Sequence, residues 1–570
     1  MLQAGKCFSM SSRATSTGAT LTIFVALLLA SNPRAEAQRP VAELPRVYID
    51  TTYQQPTGPV VHVHPADNLQ AAIDAAPLNS TIILDAGGAY TGTFQIKAKS
   101  GSGWLYIQTS GTLPPPGTRV TAADAPQMAK IVSPNMSSPF MMFPKPNGIA
   151  NHIRLIGLEI TTTSQVHADP NHRPWPINGQ SPVMVSLQGV NNITIDRCYI
   201  HGSDTEDVIH AVIAFQGASY IAVVDSQISD IHTGGLDSQA FLATSSLGPF
   251  KLTNNFLSAS TEDIMFGGGG VLAPPPYNTY VPSDIEMHRN HLYKPPEWIP
   301  MTTGATPWKW IVKNNFECKS CLRLVATGNT LENAWLSGQT GGNVLLTPRT
   351  SQSGPDAVVD DITIESNLLK NANQTFSVIG YDDTCRPPSC TSQGETARVV
   401  ISNNLILTRS PNDVASYHPL AFSMGHRMRD MLFQHNTVQG IDGSQSWASF
   451  YFNQGRCPIM VDQPTNIWIL DNVLSRQSSG DCARQGQQAL DSYIPQPTPD
   501  SSRYIGNVMF VPTGDNLASW PPHNYATTVP FIFADPSQGD YELVSPYWTD
   551  TSDGTLSGVD MNALNQAMSQ

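Results

Sequence analysis

The sequence predicts an all-β fold, a single-stranded right-handed parallel β-helix of about ten or eleven coils with long loops on one side. A short motif recurs at intervals of roughly 30 to 40 residues between positions 157 and 507. In each copy, alternating apolar residues precede a polar pair and a second apolar stretch follows, which is typical of short strands with one buried face. Asn-Gly and Asp-Gly hairpin turns, which sandwich folds prefer, are rare between the copies.

The polar pair is predicted to form a bend between two strands of each coil. In eight copies it ends in asparagine, which tolerates positive φ and hydrogen-bonds to nearby backbone. If each copy is one coil, these side chains stack about 4.8 Å apart as a hydrogen-bonded ladder. Earlier copies carry Gly157, Arg197 and Ser226 at the bend. The eight asparagines are Asn255, Asn290, Asn329, Asn367, Asn404, Asn436, Asn472 and Asn507.

The first 37 residues have the composition of a signal peptide. Lys6 and Arg13 precede the apolar run 21–30, and the Ala-Glu-Ala sequence at 35–37 fits a cleavage site. An apolar run of this length is too short to span a bilayer. We therefore expect a secreted protein, extracellular or periplasmic, without membrane association once residues 1–37 are removed.

The rest of the chain is expected to have three parts. Residues 38–110 form the N-terminal cap and first coils, residues 111–515 form the parallel β-helix, and residues 516–570 form a C-terminal capping tail. An open coil end exposes backbone edges and apolar core, so it must be covered. Residues 67–76 supply a short amphipathic helix for that purpose. Its apolar side comprises Leu69, Ala72, Ile73 and Ala76.

The chain is acidic and sparsely charged. Its formal net charge is −14, and charged residues make up 13% of the sequence. A negative surface repels polyanions, which excludes nucleic acid as a partner. We expect a monomer.

Six of the eight cysteines fall into three pairs that are close in sequence. In an oxidising compartment disulfide bridges are the favoured interpretation, and a zinc site is the alternative. Cys198 is expected to pack in the core as a small apolar residue. The three pairs are Cys318 with Cys321, Cys385 with Cys390, and Cys457 with Cys482.

Residues 63–110 resemble the cap and first coils of the pectate lyase and pectin methylesterase superfamily of right-handed β-helices, and the coil pattern extends this resemblance to about residue 510. The superfold hosts polysaccharide lyases, glycoside hydrolases, esterases and adhesins, so it implies a carbohydrate-related role without fixing the reaction. The segment DIMFGG at Asp263 resembles the DFIFG segment of the esterases, and LDSQAF at 236 resembles their QDTLY segment. This likeness implies catalytic roles for Asp263 and Asp237. The glutamine before Asp237 is missing, and the esterase arginine motif has no counterpart beyond TPR at Arg349.

Acidic residues follow the bends of several adjacent coils. The members with predicted roles are Asp204, Asp237, Glu262 and Asp263. Stacked on neighbouring coils, they could bind Ca²⁺ through carboxylate oxygens or hold a proton-sharing acid pair. The glycines 267–270 that follow would let the backbone approach a sugar or metal closely, or would only open a long turn.

Basic and aromatic residues come next along the axis. Arg289, His291 or Lys294 is the candidate base for removing a proton beside a sugar carboxylate, with a cation lowering the pKa of that proton. Arg289 could instead be a solvated bend residue, and His291 a stacking residue. Four further residues are expected to bind substrate through charge or ring stacking. They are His232, Trp298, Lys313 and Arg349.

These residues favour a polysaccharide lyase that cleaves an acidic, uronate-containing polysaccharide by β-elimination with Ca²⁺. The first alternative is a glycoside hydrolase or pectin esterase with paired carboxylates at Asp237, Glu262 and Asp263. The second is a non-catalytic glycan-binding surface protein.

Overall fold

The computed structural model describes much of the chain after the predicted leader. The described residues are 38–134, 137–144, 148–162, 183–203, 207–233, 236–269, 280–298, 310–349, 357–380, 395–408, 420–440, 448–452, 464–475, 479–480, 484–485, 503–511, 523–546 and 548–569. The predicted signal peptide and Asp204 lie outside these ranges.

Three long sheets run side by side along the chain. Each turn passes from the first sheet to the second and then to the third, and each strand pairs in parallel with the equivalent strands one turn before and after. Twelve successive sets of three strands follow this order, from the set that begins at Thr81–Leu84 to the set that ends at Ser479–Gly480. The predicted all-β parallel β-helix is confirmed, with slightly more coils than expected because two complete turns lie before residue 143.

The first sheet has 14 strands. They are β1 Val60–Val63, β2 Thr81–Leu84, β5 Leu105–Thr109, β8 Asn151–Ile156, β11 Asn191–Asp196, β14 Ser219–Val224, β17 Phe250–Thr253, β20 Ser283–His288, β23 Cys321–Thr327, β26 Val359–Glu365, β29 Thr396–Ser402, β32 Arg429–Gln434, β35 Thr465–Leu470 and β39 Tyr504–Ile505.

The second sheet also has 14 strands. They are β3 Ala89–Thr91, β6 Ala129–Ser133, β9 Leu158–Thr162, β12 Tyr199–His201, β15 Gln227–Ile231, β18 Phe256–Ala259, β21 His291–Tyr293, β24 Thr330–Ala334, β27 Leu368–Ala372, β30 Leu405–Leu407, β33 Thr437–Gln439, β36 Val473–Leu474, β40 Val508–Phe510 and β41 Tyr525–Thr527.

The third sheet has 13 strands. They are β4 Phe94–Ile96, β7 Phe140–Met142, β10 Val183–Gln188, β13 His210–Phe215, β16 Gln239–Thr244, β19 Glu262–Phe266, β22 Asn314–Cys318, β25 Gly342–Leu346, β28 Gln374–Val378, β31 Leu420–Met424, β34 Ala448–Phe452, β37 Ser479–Gly480 and β38 Arg484–Gln485. The last strand of this sheet, β38, pairs antiparallel with β37. A separate antiparallel hairpin joins β42 Ile532–Asp535 to β43 Asp540–Ser545.

Apolar side chains from all three sheets fill the interior, because alternate residues of each short strand face inward. The parallel register places equivalent side chains directly above one another. Phe422 stacks on Phe376 at a ring-centroid distance of 5.3 Å and on Phe450 at 4.5 Å. The result is one continuous apolar core that runs from the helix at Leu69–Ala75 to the last coils.

The asparagine ladder lies at the corner between the first and second sheets, as predicted. Asn329 accepts hydrogen bonds from the backbone N–H of Asn290 at 2.9 Å and from its side-chain amide at 3.0 Å. The same pair of contacts joins all eight asparagines, and Asn524 extends the ladder by one more position. At the other end Ser226 takes the asparagine's place.

In the two earliest copies, the residue predicted at the bend lies one position before the residue that occupies the ladder position. Cys198, not Arg197, donates its backbone N–H to the Ser226 hydroxyl. Arg197 and Gly157 instead adopt the left-handed conformation at the bend, with φ of 48° and 62°. The pattern of apolar residues identified these two coils, but without an asparagine it did not fix the register of the bend.

Asn329→Ala is expected to lower the free energy of unfolding by about 2–4 kcal/mol, because it removes the acceptor of two buried Asn290 donors. Denaturant unfolding measures this change. Asn562→Ala, at an exposed asparagine near the C-terminus, is the control and should change stability by less than about 0.5 kcal/mol. Equal stability of the two variants would contradict a stabilising role of the asparagine ladder.

A short helix covers the N-terminal end of the coils. Helix α1, Leu69–Ala75, is capped at its N-terminus by Asn68, whose side chain accepts a hydrogen bond from the backbone N–H of Ala71. Leu69 and Ile73 are buried against the core. The predicted capping helix and its apolar side are thereby confirmed. Among the described residues, no helix is long and apolar enough to cross a bilayer.

The C-terminal residues divide into two parts. The hairpin β42–β43 packs its Phe533 and Leu543 against Val473 and Val508 of the last coils. The following tail, residues 548–569, contains helix α2 (Met561–Ser569). It runs back along the corner between the first and second sheets that carries the asparagine ladder, which we call the asparagine corner.

The tail contacts successive coils at that corner. His523 Nδ1 lies 2.9 Å from Asp550 Oδ2, and the backbone N–H groups of Ser552 and Asp560 donate to Asp471 and Asn403. Further back, Gly328 lies so close to the tail that a Cβ atom there would be 2.2 Å from the Ala567 carbonyl oxygen.

Of the three predicted disulfides, Cys318–Cys321 is formed. The other four cysteines lie outside the described residues. Cys198 is a buried thiol in the core, as expected.

Candidate active site

The third sheet brings together acidic and basic side chains from three adjacent strands, β16, β19 and β22. The register pairs Gln239 with Glu262 and Glu262 with Asn314. Asp237 lies just before β16, and Lys313 lies just before β22. The structure therefore brings Asp237, Glu262 and Lys313 together as the predicted coil stacking requires.

Lys313 joins the two predicted carboxylates. Its ammonium group forms an ion pair with Asp237, whose side chain is 49% exposed, and lies 3.9 Å from Oε1 of the fully buried Glu262. Gln239 donates its side-chain N–H to Glu262 Oε2 at 2.6 Å. Lys313 thus links an accessible carboxylate to a buried one.

Glu317 is a third carboxylate that the sequence analysis missed. It is almost completely buried, accepts a hydrogen bond from the side-chain amide of Asn314 at 3.2 Å, and pairs with Lys319 at 3.3 Å. A sequence signal existed, because Glu317 stands between the inward-facing Phe316 and Cys318 and must therefore face outward. We call Asp237, Glu262, Glu317, Lys313 and Lys319 the carboxylate cluster.

Burial raises the pKa of Glu262 to about 7, with the negative charges of Glu317 and Asp237 adding to this effect. Lys313 and Lys319 act in the opposite direction. A carboxyl group with this pKa carries its proton in a large share of molecules near neutral pH, which suits it to act as a general acid. Nearby His210 on β13 has its pKa lowered to about 4 by burial, so it is neutral at that pH.

Asp263 and Lys294 lie on the opposite side of the β-sheet from Glu262, inside the β-helix. Both side chains are fully buried. Asp263 accepts hydrogen bonds from the backbone N–H of Ala259 at 2.7 Å and from the side-chain amide of Asn315 at 2.8 Å. Lys294 Nζ donates to the Ala259 carbonyl at 2.8 Å and lies 3.4 Å from Asp263 Oδ1. These contacts give the pair a structural role at the corner between the second and third sheets.

Two other predicted bases lie away from the cluster. Arg289 occupies the asparagine corner, where its φ is 53° and its carbonyl accepts a hydrogen bond from Arg119. His291 lies on the second sheet, with Nε2 3.2 Å from Glu332 Oε2 and its ring edge-on to Phe256. Neither residue contacts the carboxylate cluster.

The remaining predicted binding residues fall into two groups. His232 is buried and stacks on Trp310 at a centroid distance of 3.6 Å, with Trp298 edge-on at 5.6 Å. These three rings form an aromatic group of their own. Arg349 follows β25, and its backbone N–H donates to the Lys319 carbonyl at 2.8 Å, which places it beside the turn that carries Lys319.

The described members of the predicted calcium site do not form a suitable set of ligands. Asp263 faces the interior, while Asp237 and Glu262 face Lys313. In the described part of the chain, the acidic and histidine side chains whose donor atoms converge within 4.8 Å are elsewhere, at His435, Asp471 and Asp553. The Lys313 ammonium group thus occupies the position between Asp237 and Glu262 that a calcium ion would need.

The glycines that follow β19 are required by close packing against protein. A Cβ atom on Gly267, whose φ is 84°, would lie 2.3 Å from the Ser320 backbone nitrogen. A Cβ atom on Gly268 would lie 2.9 Å from the Lys319 side chain. Gly267 and Gly268 therefore let the chain leave the sheet directly over the turn that carries Lys319. Gly270 lies outside the described residues.

The chain is similar to several solved structures at low sequence identity. A family 28 exopolygalacturonase from Yersinia enterocolitica is 10% identical with a TM-score of 0.42, over 81% of this chain and 79% of that one. A surface adhesin of Streptococcus pneumoniae is 12% identical with a TM-score of 0.43, over 73% and 89%. A mannuronic acid specific polysaccharide family 6 lyase from human gut microbiota is 11% identical with a TM-score of 0.40, over 84% and 93%.

No protein-family model and no curated protein sequence matches the chain. The fold is therefore assigned from the three parallel sheets themselves.

Proposed function

We propose that the protein is a secreted enzyme that cleaves glycosidic bonds of an acidic polysaccharide at the carboxylate cluster. The observation that carries this proposal is the environment of Glu262. It is a buried carboxyl group with a pKa near 7, and it lies beside two further carboxylates and two lysines. Pairs of carboxyl groups in contrasting environments are the usual apparatus of glycoside cleavage.

In this mechanism the bound substrate displaces the Lys313 ammonium group from above the buried Glu262, which then donates its proton to the oxygen of the leaving sugar. Asp237, the exposed carboxylate of the cluster, is the group that can take a proton from the attacking water. Glu317 supports the reaction through its charge, which helps to keep Glu262 protonated. Gln239 orients Glu262 through the 2.6 Å hydrogen bond to Oε2.

The two lysines favour a negatively charged substrate. Lys313 and Lys319 have side chains that are 14% and 12% exposed, so each reaches solvent while it contacts a carboxylate of the cluster. An ammonium group at this position can pair with the carboxylate of a uronic acid.

The same lysines make β-elimination the second candidate reaction. Elimination requires a cation that neutralises the sugar carboxylate and a base that removes the adjacent proton. Lys313 or Lys319 could supply the cation, and an ionised carboxylate of the cluster could act as the base. Hydrolysis ranks first because the bases predicted from the sequence are not on the face of the sheet that carries the cluster: Lys294 points into the β-helix, and Arg289 and His291 lie elsewhere on the coils.

The decisive experiment incubates the purified full chain with a panel of uronate polymers, with and without a chelator. We expect new reducing ends without the ultraviolet absorbance of an unsaturated sugar, and no effect of the chelator. Unsaturated product would select elimination. Binding without cleavage of any polymer would contradict an enzymatic role and support a glycan-binding protein.

A further inference from the structure

A group of potential metal ligands lies far from the carboxylate cluster, where the C-terminal tail crosses the asparagine corner. His435 and Asp471 are the bend residues that precede Asn436 and Asn472 on adjacent coils, with φ of 53° and 57°. Asp553 comes from the tail. Three segments that are distant in sequence thus supply one nitrogen and two carboxylate donors to the same point.

The separations of the donor atoms are close to those of a tetrahedral site. His435 Nε2 lies 2.9 Å from Asp553 Oδ2 and 3.7 Å from Asp471 Oδ2, and all three donors lie within 4.8 Å of one another. Zinc bonds to nitrogen and oxygen of about 2.0–2.2 Å give ligand separations of about 3.3–3.6 Å in a tetrahedron. The observed separations lie on both sides of that range, so small side-chain shifts suffice to place an ion between the three donors.

The charges at this point also favour a cation. Asp471 is completely buried, and Asp553 is 34% exposed. Within the described residues, His435 is the ion-pair partner of both carboxylates, and neither has a lysine or arginine partner. The remaining contacts are hydrogen bonds donated by neutral groups of Gln434, Ser552 and Thr555.

An ion can reach the group from solvent. His435, Asp553 and Thr555 line a cavity of about 580 Å³ between the coils and the tail. Thr555 Oγ1 lies 3.4 Å from His435 Nε2, on the same side as the cavity. Water in the cavity could therefore complete the coordination.

We propose that His435, Asp471 and Asp553 form a binding site for a zinc-type divalent transition metal that fastens the C-terminal tail to the coils. Mixed imidazole and carboxylate donors suit zinc and its neighbours in the transition series, whereas calcium prefers a shell of oxygen atoms. Because two ligands belong to the coils and one to the tail, the bound ion joins these parts directly. The site is independent of the proposed enzymatic activity.

The test is calorimetric titration of the tag-free, metal-stripped full chain with Zn²⁺, together with a parallel titration with Ca²⁺. We expect one Zn²⁺ per chain, no comparable binding of Ca²⁺, and at least a tenfold weaker affinity for Zn²⁺ in His435→Gln and Asp553→Asn. Limited proteolysis should show slower cleavage of the tail when one equivalent of Zn²⁺ is present.

The matched control is His523→Gln, which removes a second histidine–aspartate contact between coils and tail. That contact involves Asp550 at 2.9 Å, and no third donor converges on it among the residues that the structure describes. His523→Gln should therefore bind Zn²⁺ as the wild type does. Undiminished affinity in His435→Gln, or an equal loss in His523→Gln, would overturn the proposal.

Discussion

Glu262→Gln is expected to lower kcat on the cleaved polysaccharide by about 100- to 1,000-fold, with a much smaller change in KM. The amide has nearly the shape of the protonated carboxyl group, and its oxygen can still accept the hydrogen bond from Gln239. It cannot release a proton to the leaving sugar. Steady-state kinetics at pH 6 and pH 8 measure the effect.

The pH dependence gives this prediction a second readout. Since Glu262 must be protonated to act, wild-type kcat/KM should fall as the pH rises through about 7, and the residual activity of the variant should lack that step. Stability should follow the same carboxyl group. Its pKa is raised from 4.5 to about 7 on folding, so its stabilising contribution is complete below about pH 4.5 and is lost as the pH rises through about 7. Glu262→Gln should therefore be no less stable than the wild type at pH 8.

The matched control is Glu286→Gln on the first sheet. Glu286 is also a buried glutamate with a raised pKa, caused by burial and opposed by Lys251. It lies outside the carboxylate cluster, so its substitution should leave kcat within about twofold of the wild type. A Glu262→Gln enzyme that retains more than a third of wild-type kcat would exclude Glu262 as the proton donor.

Lys294→Met is expected to lower the free energy of unfolding by about 3–5 kcal/mol, because Asp263 is left buried without its cation. Burial alone raises the pKa of Asp263 and lowers that of Lys294, and each residue opposes the shift of the other. Denaturant unfolding at pH 7 measures the loss. The folded fraction should retain its activity, since Lys294 lies inside the β-helix.

The double variant Asp263→Asn/Lys294→Met distinguishes an ion pair from two independent residues. The asparagine keeps an oxygen for the Ala259 N–H and leaves no charge to bury. We expect a coupling free energy of about 1–3 kcal/mol, so the double variant should be more stable than the sum of the single changes predicts. Strict additivity would rule out the pair, and loss of kcat in fully folded Lys294→Met would instead support the role of a base.

The sequence predicted the fold well because the same hydrogen-bonding asparagine recurs in it. An asparagine that satisfies the backbone of the next coil must recur once per turn, so the positions from Asn255 to Asn507 predicted both the coils and their stacking. The two earliest bends were placed one residue too early because Cys198 and Leu158 carry no such signal.

The candidate site was predicted only in part. Stacking of coils brought Asp237, Glu262 and Lys313 together, since residues about one coil apart become neighbours. The adjacent Asp263 was expected to act with Glu262, but neighbouring residues of a strand face opposite sides of the sheet, and the sequence did not show which of the two acids faced the interior of the β-helix. Lys294 could not be placed either, because its inward direction depends on a partner from another coil.

The C-terminal tail, where it crosses the asparagine corner, restricts the insertion and deletion of whole coils. The tail meets residues of five separate coils in a fixed order, from His523 back through Asp471, His435 and Asn403 to Gly328. Gain or loss of one whole coil between residues 328 and 523 would preserve the stacking but would shift every later anchor by one step. The contacts of the tail therefore require a fixed number of coils in the C-terminal half. Duplication of a coil nearer the N-terminus would leave all of these contacts in place.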